Sequence, residues 1–345
     1  MARGGERPTG AAFAALPVAV DAMGGDKAPE EIVAGARAVA ADRGIAVVLV
    51  GKPGGMGDTG DLPVIEAGEV IGMEDDPAQG VRRKKDSSLV RAAEAVRDGR
   101  AMAMVSAGNT GATMASALLR MGRLPGVQRP AIATPIPDPE RGWPTVLLDA
   151  GANTECTASM LVQFAQMGAA YARRRYEVRQ PRVALLSIGE ERSKGTPLVK
   201  EAHLLLEESA GRDGLEFVGN VEGRDFFKGV ADVIVTDGFT GNVALKTLEG
   251  SLKFLIGALG DLFAQPEVVA LAEPLLPHLL PLAAALDPDS TGGAMLLGVD
   301  GVCVISHGSS SAAAIANAVT VAHDLAVGGL VEDVAASVRE PVPAG

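Results

Sequence analysis

The chain is poor in the residues that build metal clusters and cross-links: it has two cysteines, Cys156 and Cys303, and four histidines in 345 residues. With no CxxC spacing, these exclude a disulfide framework and a zinc cluster, and a reducing cytoplasm is the simplest expectation. Aromatic residues make up only 3% against a hydrophobic share of 47%, so the core must be Ala, Val, Leu and Ile. There is no excess of cations. The net charge of −12 argues against wholesale nucleic-acid binding, which calls for a basic face. No GxGxxG follows a strand, and GxxxxGK[ST], HExxH and GxSxG are all absent. The opening "MARGGERPTGAAFAALP" is too broken by Gly and Pro for a signal peptide or a membrane span.

What is present is a repeated strand–turn–helix arrangement. "AMAMVSAGNTGATMASALLRMG" and "ADVIVTDGFTGNVALKTLEG" each run a short apolar strand through Gly, Asn and Thr into a helix. Such a turn leaves backbone N–H groups of the first helical turn free to hold an anion. Forty-three glycines and 21 prolines fit many tight βα turns rather than low complexity. Strands and helices alternate along the chain, which predicts an α/β fold: a three-layer α/β/α arrangement with a mostly parallel sheet. The expected organisation is a flexible extension over 1–15, one domain over 16–338 with a helical excursion near 248–290, and a loose tail over 339–345. The helix in "TASMLVQFAQMGAAYARR" is expected to be amphipathic.

In a parallel sheet, ligands lie beyond the C-terminal ends of the strands. The polar loops at Asp21, Ser106–Gly111, Asp149–Asn153, Gly189–Thr196, Asn220–Arg224 and Asp237–Asn242 are therefore expected to form one composite site. Asn109, Thr110, Gly111, Thr240, Gly241 and Asn242 are candidate anion donors, although ordinary turn chemistry explains Asn and Gly there as well. Lys194 and Gly195 precede a helix, where the lysine is a point charge for phosphate or a plain solvent-facing residue. His307 stands at another Gly–Ser turn, as a proton or carbonyl partner or as a hydrogen-bonded turn residue. Arg82, Arg83, Lys84 and Lys85 oppose the global charge, as an anion-docking patch or as a solvated helix start. The run "LAEPLLPHLLPLAAAL" is broken by Pro274, Pro277 and Pro281 and is expected at an interface or in the core.

Eight motifs in order carry a resemblance: "DAMGGDKAPE", "RRKKDSS", "VSAGNTGATMA", "LLDAGAN", "SIGEERSKGTP", "GNVEGRDFF", "TDGFTGNVALKTLEG" and "HGSS". Together, over about residues 17 to 325, they resemble the bacterial acyl-ACP:phosphate acyltransferase (PlsX) family of phospholipid synthesis. The resemblance implies a fold similar to the isocitrate/isopropylmalate dehydrogenase and phosphotransacetylase group. It implies transfer of a fatty acyl group from acyl carrier protein to inorganic phosphate, with no cofactor, no metal and no acyl-enzyme. It also implies a cytoplasmic homodimer with peripheral membrane contact, whose product feeds a downstream glycerol-3-phosphate acyltransferase.

Under that resemblance Lys194, His307 and Asn242 are expected to be catalytic. Ser106, Asn109, Thr110, Gly111, Asn153, Gly195, Thr240 and Gly241 would bind phosphate or the oxyanion, and Asp21, Asp26, Asp149 and Asp237 would orient the loops. Residues 82–85 would dock the acidic carrier. Two positions depart from the family pattern: Ile305, where a lysine often precedes the histidine by two, and Ser311, where an aspartate often follows the serines. A phosphotransacetylase-like enzyme using acyl-CoA, a dehydrogenase of the same general fold and a non-catalytic membrane scaffold remain as alternatives.

Overall fold

The computed structural model describes residues 10–138, 141–209, 214–286 and 291–338; the expected tail from 339 lies outside them, as do the first nine residues. Within the expected N-terminal extension, Ala11–Ala14 form one helical turn (α1), and Phe13 packs against the core. The first half of the chain then gives β1 (Val18–Asp21), α2 (Glu30–Arg43), β2 (Val47–Gly51), β3 (Val64–Glu66), α3 (Pro77–Arg83), α4 (Ser88–Arg97), β4 (Ala103–Ser106) and α5 (Thr110–Arg120). The middle gives β5 (Ala131–Ile136), β6 (Thr145–Leu148), α6 (Ala158–Tyr176), β7 (Arg182–Leu186), α7 (Pro197–Glu208), β8 (Glu216–Val221) and β9 (Val233–Val235). Last come α8 (Gly238–Phe263), α9 (Val269–Ala272), α10 (Leu276–Ala285), β10 (Ala294–Leu297), β11 (Val302–Ile305), α11 (Ala312–Val327) and α12 (Leu330–Ser337).

The strands form one sheet of eleven in the order β3-β2-β1-β4-β11-β10-β5-β6-β9-β7-β8. Pairing is parallel from β3 to β11 and again from β6 to β8, whereas β10 pairs antiparallel with both β11 and β5, and β5 antiparallel with β6. The β6-β9-β7-β8 half therefore runs opposite to the β3-β2-β1-β4-β11 half. This overturns the expectation that all the polar loops share one edge. The reversal is made by β5 and β10, whose short apolar runs do not disclose the direction of their neighbours.

Side chains alternate cleanly across the sheet, as a strand's two-residue period requires. Val18, Val20, Val105, Val146 and Val235 face one apolar cluster with α2, α6, α7, α11 and α12. Ala19, Met104, Ile132, Leu147 and Ile234 face the other, with α3, α4, α5 and the first turns of α8. The helix α6 is buried on nearly all sides from Ala158 to Ala172, not amphipathic, because the sheet, α7 and α12 enclose it. On the opposite face, α5 and α8 flank the antiparallel strands β5 and β10 and leave a cleft over them.

The helical excursion is apolar and uncovered rather than core: Phe254, Leu271 and Leu280 are 77%, 73% and 63% exposed. Among the described residues no single helix is long and apolar enough to cross a membrane. The bent pair of α11 and α12 passes by length and composition, yet Ile315, Val319, Leu325 and Leu330 pack in the core.

Candidate functional site

Three loops meet at the ends of β1, β4 and β11. Asp21 is buried at the end of β1 and accepts from the Ser106 hydroxyl (2.8 Å) and from the Met23 N–H (3.2 Å). Ser106 in turn accepts from the Gly108 N–H at 3.0 Å, so Asp21 fixes the turn that opens α5. Burial raises the Asp21 carboxyl above its usual range, against the pull of these donors. Gly24 lets the first loop lie on the second: a Cβ there would stand 2.8 Å from the Gly108 nitrogen. The Asp26 N–H donates to the Gly308 carbonyl at 2.8 Å, joining the third loop. Asn109 is the N-cap of α5, accepting from Ala112 N–H (3.0 Å), and its amide donates to the Met73 carbonyl (2.8 Å). Its side chain therefore positions the turn, while the N–H groups of Thr110 and Gly111 open the helix with no intrahelical acceptor. At α11 the N-cap is Ser311, whose hydroxyl accepts from Ala314 N–H; serine caps a helix as well as aspartate does, so this departure is conservative.

A second cluster forms at the ends of β6 and β9. Asp149, fully buried, accepts from the N–H groups of Ile132, Gly151, Ala152 and Asn153 and from the Asn153 amide, at 2.8–3.2 Å. Burial pushes this carboxyl up, and the five donors oppose it. Asn153 spends its amide on the Pro130 carbonyl and Asp149. Asp237 caps α8, accepting from both the N–H (2.9 Å) and the hydroxyl (2.8 Å) of Thr240. Gly241 lies so close to the Asp149 carbonyl that any Cβ would overlap it. Asn242 donates its amide to the Ala150 carbonyl at 3.2 Å. Ser106, Asn153 and Thr240 are thus committed to the scaffold of the loops.

Between the two clusters lies a cavity of about 160 Å³, walled by β5, β10 and one face of α8. Thr110, Ser306, His307 and Ser310 reach it from the first cluster, and Ala150 and Asn242 from the second. Ser306 and Ser310 are 5% and 2% exposed, and neither hydroxyl has a hydrogen-bond partner among the described residues. Two buried hydroxyls without acceptors or donors are costly, and they stand beside the first turns of α5 and α11. His307 Nδ1 lies 2.9 Å from the Ser309 hydroxyl and accepts from the Ser309 N–H at 3.4 Å, so this nitrogen is held by its own turn. Lys246 lines the same cavity and pairs with Glu249 at 2.7 Å. Ile305, at the other departure from the family pattern, is a buried part of the apolar wall.

Lys194 and Gly195 lie elsewhere, on the loop after β7, two strands beyond β6; neither lines the cavity. Their loop is tied to the 220–224 loop by the Asn220 amide, which donates to the Glu191 carbonyl. Of the four cations at 82–85, Lys84 turns inward to Asp75 (2.5 Å) and the Val70 carbonyl (2.9 Å), while Arg82, Arg83 and Lys85 are exposed. Burial raises the Cys156 thiol to about 11 and Cys303 to about 12, so both are protonated near neutral pH and neither is a nucleophile. Among the described residues no group of three or more His, Cys, Asp or Glu is placed to hold a metal ion.

Sequence reasoning missed Ser306, Ser310 and Lys246. The two serines carried a signal in their strand–turn–helix context, and Lys246 stood within "TDGFTGNVALKTLEG", but its role shows only once α8 lies over β5.

A family model described as "Fatty acid synthesis protein" matches residues 16–332. The chain is 46% identical over 338 residues to a phosphate acyltransferase of Heliobacterium modesticaldum, covering 95% of this chain and 98% of the relative. It is 48% identical over 326 residues to a phosphate acyltransferase of Myxococcus xanthus, covering 91% of each. Among solved structures it is similar to a phosphotransacetylase from Streptococcus pyogenes, with a TM-score of 0.62 and 18% identity over 90% of this chain and 94% of that one. At that identity the structural likeness speaks for the fold alone.

Proposed function

The chain belongs to the fatty acid synthesis protein family, and on that premise we propose that it is a phosphate acyltransferase moving a fatty acyl group from acyl carrier protein to inorganic phosphate. The observation that carries the reading at the level of the site is the pair of unpartnered hydroxyls, Ser306 and Ser310, beside two helix N-termini in a cavity walled largely by apolar residues of β5, β10 and α8. Helix N-termini and hydroxyl donors hold an anion without titrating, and being fixed in place they need no reorganisation as charge develops.

Phosphate is held by the N–H groups of Thr110 and Gly111 together with the Ser306 and Ser310 hydroxyls. Its oxygen attacks the thioester carbonyl, a C–O bond forms, and the C–S bond breaks with its electron pair leaving on the carrier's sulfur. The proton released by the attacking phosphate hydroxyl passes by way of His307 to that sulfur, so the ring ends as it began, or His307 steadies the carbonyl oxygen. Lys246 offsets the charge gathered in the tetrahedral state, the role first expected of Lys194. Positioning two reactants and stabilising one oxyanion requires neither a metal nor an acyl-enzyme.

Arg82, Arg83 and Lys85, on and beside α3, which packs against α5, supply a cationic approach for an acidic carrier. The exposed apolar residues of α8 to α10 support a homodimer and peripheral contact with a membrane. The acyl phosphate then passes to a glycerol-3-phosphate acyltransferase. The test is thioester loss from palmitoyl-acyl carrier protein with and without phosphate, with acyl phosphate trapped as its hydroxamate. Phosphate-dependent release is expected. Equal rates with acyl-CoA would favour the phosphotransacetylase-like reading, and phosphate binding without turnover would favour the scaffold.

A further inference from the structure

The cavity has a direction that the transferase reading does not by itself require. Its hydroxyl-bearing end lies level with the C-terminal end of β5: Ile305 and Ala294 pair, Met295 and Ala133 pair, and so His307 stands level with Ile136. The other end is fixed by the chain Asn242 to Ala150 to Ile132, joined by the Asn242 amide and the Ala150 N–H. From Ile132 to Ile136 is about 13 Å along a strand. From Asn242 to Leu252, both on the cavity wall, is about 15 Å along a helix. The two spans agree. Leu245, Leu248 and Leu252 form one stripe of α8 facing Ile132, Thr134 and Ile136 of β5.

We propose that this slot between α8 and β5 holds the acyl chain of the substrate, entering at Ser306 and His307 and running towards Ala150, and that Leu248 and Leu245 set the chain length accepted. The inference rests on the transferase reading. An acyl thioester is a polar reacting group at the end of an apolar tail, and from Ser306 and His307 the slot runs along the apolar stripe of Leu252, Leu248 and Leu245, with the exposed Asn242 only at its far end. Ile132 and Ile136 belong to a buried apolar cluster and Leu245 and Leu248 pack against it, so the tail is taken up by a formed surface. Leu248 lies about 9 Å and Leu245 about 4.5 Å above Asn242 along α8. Filling the slot at Leu248 stops a chain earlier than filling it at Leu245.

The test is phosphate-dependent release from butanoyl-, octanoyl- and dodecanoyl-acyl carrier protein by the full chain and by Leu248→Trp and Leu245→Trp. Both variants are expected to turn over the butanoyl substrate close to wild type and to lose dodecanoyl kcat/KM by roughly 10-fold to 100-fold. Leu248→Trp is expected to reject the octanoyl substrate as well, and Leu245→Trp to keep more of it. Leu248→Ala, which widens the slot, and Thr134→Phe, which narrows it from the sheet side, give the profile in each direction should a tryptophan variant fail to fold. Folded variants with an unchanged chain-length profile, or with equal losses for every length, would overturn the slot and leave the transferase reading standing. No phosphate-dependent release by wild type with any chain would overturn both.

Discussion

Replacing Ser310 with alanine is expected to make the protein more stable and less active. Its hydroxyl is buried to 2% exposure without a partner among the described residues, and a buried unpaired polar group costs about 1–3 kcal/mol. Alanine keeps the backbone, including the Ser310 N–H that donates to the His307 carbonyl. Taking the low end, about 1 kcal/mol is regained. Unfolding entropy of roughly 2.1 cal/mol/K per residue over 345 residues gives about 0.7 kcal/mol/K, so Tm rises by about 1–2 °C. Against this, loss of one oxyanion-type donor lowers kcat by about 100-fold to 1,000-fold. Phosphate should also raise the variant's Tm less than it raises that of wild type, because weaker binding shifts the folded state less. Calorimetry with and without phosphate, beside acyl phosphate formation, reads all three. A variant that is less stable than wild type and turns over at the wild-type rate would refute the assignment, since the hydroxyl would then be structural.

Lys246→Met is expected to lower kcat/KM by roughly 10-fold to 150-fold, the worth of a hydrogen bond to a charged group, whereas Lys194→Met should stay within about twofold of wild type; acyl phosphate formation ranks the two. Burial raises the Asp21 carboxyl above 3.8, so just above that pH the folded chain holds a proton that the unfolded chain has released. Stability due to this group therefore falls as pH rises through the window from 3.8 to the raised value, and the penalty is complete at neutral pH. Asp21→Asn should lack that slope and gain relative to wild type as pH rises from about 4 to 7, checked by urea midpoints at each pH. Charge reversal at Arg82, Arg83 and Lys85 should raise KM for the acyl carrier protein at low salt and lose its effect as screening grows, with kcat unchanged.

Much of the fold was legible because it rests on local rules. Apolar strands alternating with helices specify an α/β chain, and Asn109, Asp237 and Ser311 each announce a helix by the carboxamide, carboxylate or hydroxyl that caps it. The eight ordered motifs carried the family, and the match over 16–332 agrees with them. The turns Ser106–Gly111 and Asp237–Asn242 were likewise visible, since Gly241 has to lie against the Asp149 backbone and no other residue fits.

Tertiary structure decided which of those turns meet. Strand direction is a property of pairing, and an apolar run such as Ala131–Ile136 reads the same whether its neighbours run with it or against it. The reversal at β5 and β10 puts the ends of β6 and β9 at the edge opposite the ends of β4 and β11 and leaves the face of β5 and β10 free of a crossover helix, while the Lys194 loop lies two strands further along, beyond the cavity. Only there can α8, returning from β9, bring Lys246 and Asn242 into one cavity with Ser306, His307 and Ser310. Sequence fixes what each segment buries and where each helix begins, because those are contests among neighbouring residues. Which unpartnered hydroxyl ends beside which cation depends on contacts made across more than a hundred residues of chain, and these exist only once the sheet has formed.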